Sequence, residues 1–117
     1  MTILEIFEKI NLKIPVEQRT FFNYLNDSIN EIAELYGEQK KTVFLKNLIS
    51  EDIVPIRSFD DIIPVLPLYH NAIVDNIFFL YGQGENYKVD FLRKSREAYH
   101  YYWSESARNR KIKRAGW

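Results

Sequence analysis

Residues 64–81 read PVLPLYHNAIVDNIFFLY, and no other stretch limits the fold as strongly. Pro67 suits a first helical turn, where its missing N–H costs nothing and its fixed φ helps. From there Leu68, Tyr69, Ala72, Ile73, Ile77 and Leu80 recur at steps of three and four, which predicts a helix. Val74, Phe78, Phe79 and Tyr81 widen the apolar face until little of the last two turns is left for water. A helix apolar nearly all round is a buried one, packed on several sides. His70, Asn71, Asp75 and Asn76 interrupt it, and it falls short of the ~20 apolar residues that span a bilayer. The expectation is the central helix of a small domain with no membrane partner.

The other elements are predicted around it. Thr2 is placed to cap a first helix, and Glu5 three residues on completes a capping-box pattern. Ile3, Leu4, Ile6, Phe7 and Ile10 supply its apolar face, Asn11 lies near its end and Pro15 breaks the chain. A longer helix is expected from about Val16 to Tyr36, with Phe21 or Phe22, Leu25, Ile29, Ile32, Ala33 and Tyr36 on one stripe and Gly37 just past its end. Residues 38–63 carry two short apolar runs, Val43–Leu45 and Ile53–Ile56. Phe44, Leu45, Leu48 and Ile49 would also suit a helical turn, but Pro55 and the polar NLISED step favour extended pieces or a loose hairpin there, with Ser58 or Asp60 capping a turn before Pro64. After the hinge at Gly82 and Gly84, Asn86 can cap a last helix with Phe91, Leu92, Ser95, Ala98, Tyr99, Tyr102 and Trp103 inward. That helix is expected to continue past Ser104, where apolar residues stop.

The fold expected is therefore all-α, a small bundle of three main helices plus a short N-terminal one, with a long partly extended loop between helices two and three. Residues 1–104 would form the helical domain and residues 105–117 a basic C-terminal tail. Leu25, Ile29, Ile32, Ala72, Ile73, Ile77, Tyr99 and Trp103 are the expected core. At 117 residues with eight Phe, eight Tyr and two Trp, one domain with one substantial core is what the chain can build.

Charge is zero in total but unevenly spread. Residues 1–83 hold seven bases against twelve acids, and residues 84–117 nine bases against four acids, so an acidic body leads to a basic end. Such asymmetry speaks of partners rather than fold. With no cysteine, thiolate metal sites and thiol catalysis are excluded. The opening MTILEIFEKI has no basic n-region and no long apolar core, so no signal peptide is expected.

Catalysis finds little support. His70 and His100 stand thirty residues apart without metal-ligand spacing, and Asp60–Asp61 reads as a cap or dipole partner before a helix. No phosphate-cradling, nucleophile-elbow or zinc-helix motif is present, so no cofactor and no metal are expected. The run Tyr99, His100, Tyr101, Tyr102, Trp103 points all round a helix axis. Either Tyr99, Tyr102 and Trp103 are core with His100 and Tyr101 merely exposed, or His100 and Tyr101 meet another subunit. The basic end, with Arg108, Arg110, Lys111, Lys113 and Arg114 before Trp117, is a solvated terminus, a phosphate contact or a dock for an acidic protein surface anchored by Trp117.

Residues 66–74, LPLYHNAIV, resemble the LP-x-x-x-x-A-[IL]-V opening found in small head-to-tail connector (adaptor) proteins of tailed bacteriophages. The break at Gly82–Gly84, a last helix ending Ala98…Tyr102-Trp103, and INEIAELYG at residues 29–37 are similar too, so the resemblance covers roughly residues 16–103. It implies a non-enzymatic protein of the virion neck, made in the host cytoplasm. Such proteins dock as a dodecameric ring of identical copies under the portal protein. They pass DNA without sequence specificity and meet a tail-side stopper protein. By position, Arg108, Arg110, Lys111, Lys113, Arg114 and Trp117 would contact the portal, and residues 38–63 the tail side. The competing expectation is a small DNA-binding module of phage packaging or regulation.

Overall fold

The computed structural model describes residues 1–36 and 55–115, with side chains through Tyr101. Among these the chain is all-α: α1 (Ile3–Asn11), α2 (Gln18–Tyr36), α3 (His70–Leu80) and α4 (Glu85–Ala115), with a single 3₁₀ turn, Pro67–Tyr69, leading into α3. No described helix is long and apolar enough to cross a membrane.

α1 starts as its sequence dictates. The Thr2 side chain accepts from Glu5 N at 3.1 Å and the Glu5 carboxylate accepts from Thr2 N at 3.3 Å, so two N–H groups with no helical partner are satisfied. Ile3, Ile6 and Ile10 are buried, whereas Leu4, expected on the apolar face, is 46% exposed because it lies one residue off that stripe. α2 begins two residues later than expected, after an extended Pro15–Glu17 step, and buries Phe21, Leu25, Ile29 and Ile32. Phe7, Phe21, Phe22 and Phe59 form a ring cluster with centroids 5.1–6.4 Å apart, which seals α1 against α2 and residues 55–63.

Pro67 opens the 3₁₀ turn at its first position. That turn puts Tyr69 fully inside and leaves Leu68 44% exposed, correcting its expected place on the buried face. In α3, Ala72, Ile73, Val74, Ile77 and Phe78 are buried, and so are His70, Asp75 and Asn76. α3 packs most extensively on α4 and next on α2, so it is the centre of the bundle.

Gly82 (φ +78°) and Gly84 (φ +132°) turn the chain into α4 with backbone angles that side-chain-bearing residues rarely adopt. α4 begins at Glu85, directly after Gly84, so Asn86 lies inside the first turn rather than capping it. Phe91, Ser95 and Ala98 face the core, Leu92 keeps 36% of its surface exposed and Tyr99 is half-buried rather than core. Gly37, residues 38–54, the side chains of Tyr102 and Trp103, and Trp117 lie outside the described residues.

Candidate functional site

α4 is the longest of the described elements. Its 31 residues make it about 46 Å long at 1.5 Å per residue, so it must follow the 56 Å axis of a molecule only 30 and 22 Å across. Tyr36, the last residue of α2, stacks on Tyr99 with centroids 4.9 Å apart. Beyond that level α4 runs on for sixteen residues to Ala115, about 24 Å of helix. Arg108, Arg110, Lys111, Lys113 and Arg114 belong to this last stretch, so the basic end is continuous with α4. His100 and Tyr101 begin it, and both are exposed, Tyr101 by 57%.

The base of α4 is held by polar contacts that the apolar pattern did not announce. Asn76, fully buried, donates to Ser28 Oγ at 2.9 Å and to the Glu31 carboxylate at 3.3 Å, while its own oxygen accepts from Lys88 Nζ at 3.2 Å. Lys88 also pairs with Glu31 and lies 4.8 Å from the centroid of the Phe91 ring. Six residues further on, Lys94 pairs with Asp75 at 2.6 Å. Three helices are thus cross-linked by two cations of α4 set against carboxylates of α2 and α3. Both lysines keep part of their surface in water, so the two pairs orient the start of α4 against α2 and α3 rather than lock it. Asn76 and Asp75 were visible in the sequence as polar breaks in an apolar helix. Glu31 and Lys88 carried no comparable signal.

Asn26 performs a similar task for the chain returning to the bundle. Its side chain accepts from Ile56 N at 2.8 Å and donates to Ile56 O at 3.0 Å, pinning Ile56 into the core. Asp61, rather than Ser58 or Asp60 alone, closes the next turn. Its carboxylate accepts from Arg57 N at 2.9 Å and Ser58 N at 3.0 Å, while Ser58 Oγ accepts from Asp60 N at 3.2 Å.

At the start of α3, His70 is buried. Its Nδ1 lies 3.0 Å from the Met1 ammonium and its Nε2 is 3.3 Å from Val65 O. The ammonium can only donate, so Nδ1 accepts and Nε2 carries the proton to Val65. Burial, followed by the ammonium charge, pushes the imidazole pKa below its ordinary 6.5. A cleft of about 410 Å³ opens here, walled by Ile3, Phe59, Ile63, Val65 and Pro67. Among the described residues no group of His, Asp or Glu could hold a metal ion, and His70 and His100 are not brought together.

Of the expected core, Leu25, Ile29, Ile32, Ala72, Ile73 and Ile77 are buried. Compared with protein-family models, with curated proteins and with solved structures, the chain matches none.

Proposed function

We propose that the chain is a head-to-tail adaptor of a tailed bacteriophage, a structural and non-enzymatic protein that forms a ring beneath the portal and carries the DNA path from capsid to tail. The observation that carries this reading is an acidic bundle joined to a helix whose last sixteen residues, with five bases among them, continue unbroken beyond the Tyr36–Tyr99 stack. A helix paired by its cations to two neighbours at its base and carrying a basic end is suited to engage another protein. The resemblance of residues 66–74 to the adaptor opening supports the same reading.

In this reading Arg108, Arg110, Lys111, Lys113, Arg114 and Trp117 meet the portal, His100 and Tyr101 meet the neighbouring copy, and residues 38–63 face the tail-side stopper. Passing DNA needs a wall that does not hold it, and the acidic bundle meets that need by repelling phosphate. No cofactor is required, and the protein would reside in the virion neck after synthesis in the host cytoplasm. A DNA-binding module of packaging or regulation is the competing reading. Against it, past Arg19 the surface of α2 offers acids and amides but no base.

The test is genetic and visual. A phage lacking the chain should accumulate filled heads and free tails, and added purified protein should restore joined particles. Normal joining without the chain, or a failure to package DNA at all, contradicts the adaptor reading.

A further inference from the structure

Two exposed helix faces are matched in length and opposed in charge. On α4, Val89, Leu92, Arg96 and His100 follow at steps of three and four and so share one face. All four are exposed, Val89 by 62% and Leu92 by 36%. Arg93 beside them is already paired with Asp90 at 3.4 Å and Glu97 at 3.2 Å, whereas Arg96 and His100 make no ion pair among the described residues. On α2, Asn23, Asp27, Asn30 and Glu34 share a face by the same spacing and are all exposed. Each stripe covers eleven residue steps, about 16 Å of helix. Leu35, 47% exposed at the edge of the α2 stripe, offers apolar surface to meet Val89 and Leu92.

We propose that the Val89, Leu92, Arg96 and His100 face of α4 docks on the Asn23, Asp27, Asn30 and Glu34 face of α2 in a second copy of this chain. Neither face suits itself. Two α2 faces would oppose carboxylates, and two α4 faces would oppose Arg96 to Arg96, whereas α4 on α2 brings opposite charges together. Both faces are exposed in the folded chain, which leaves them accessible to a second copy. The contact is heterologous and repeats from copy to copy, which closes a ring or runs on as a filament. The proposal rests on the adaptor reading for ring closure, and it assigns the neighbour's surface that receives His100.

Because the chain has no cysteine, introduced thiols are unique. Full-length Asn30→Cys and Leu92→Cys proteins, which keep Arg96, Asp27 and Glu34, are each confirmed folded by circular dichroism, mixed at high concentration and treated with a short bismaleimide, both free and bound to portal-bearing capsids. The mixture should give covalent dimers and each variant alone should not, while the doubly substituted chain should give a ladder. No cross-linking of the mixture in either setting overturns the proposal, as does efficient self-linking of either single variant. Cross-linking that needs added duplex DNA assigns the α4 face to nucleic acid and overturns it as well. A ladder in a protein that never binds capsids keeps the contact and removes the adaptor reading; capsid binding without a ladder does the reverse.

Discussion

His70 is neutral because its neighbours make it so. Protonating it would set a second cation 3.0 Å from the Met1 ammonium in a buried site. Its folded pKa lies below 6.5 while the unfolded chain titrates near that value, so the unfolded state binds the proton first. The stabilising contribution is therefore complete above 6.5 and is lost as pH falls below it. Urea unfolding at about pH 7.5 and about pH 5.5 should show the acid sample less stable, with a smaller difference for His70→Gln. An unchanged difference in the variant would assign the acid sensitivity to other groups. At the centre of α3, Ile73→Ala or Ile77→Ala should cost about 2–5 kcal/mol, since both side chains are fully buried and leave a cavity. Asn76→Ala acts differently. It strips a partner from Ser28 and Lys88 and should cost about 1–3 kcal/mol in chemical denaturation, with Asn76→Asp no rescue because the carboxylate cannot donate to Ser28.

Among the elements, those with strong apolar period and explicit caps were legible before any coordinates. The Thr2–Glu5 box, the α2 stripe and the apolar wrap of α3 follow from spacing alone. Thr2→Ala should therefore cost about 1 kcal/mol in thermal or chemical unfolding, the usual worth of an N-cap. What spacing could not reveal was partnership across helices. Glu31 lies off the α2 stripe and reads as a solvated acid, yet Asn76 and Lys88 draw it into the junction of three helices. Leu68 and Leu92 read as buried by hydrophobicity, but the 3₁₀ turn and the rotation of α4 turn them outward. Tyr99 falls between, half-buried under Tyr36, the last described residue of α2. Ending the chain at Ser104 removes eleven helical residues, Glu105–Ala115, so mean-residue helicity should fall. The thermal midpoint should hardly move, because Phe91, Ser95 and Ala98 precede the cut. A collapse of that midpoint would make the end of α4 part of the core.

At the scale of the molecule, the fold and the function were legible to different degrees. An all-α bundle follows from pattern, whereas the adaptor reading depends on one short block of residues and on the length and basic end of α4. That reading divides labour between a folded acidic bundle and a basic helical end that engages a second protein. The measurement that tests this division most directly is co-sedimentation with portal-bearing capsids, using the full chain and the chain ending at Ser104, beside a duplex DNA titration. The account predicts that the full chain pellets with capsids, that the shortened chain stays in solution while still folded, and that DNA affinity is weak. Strong, salt-sensitive DNA binding without capsid association, or equal capsid binding by both forms, would contradict it.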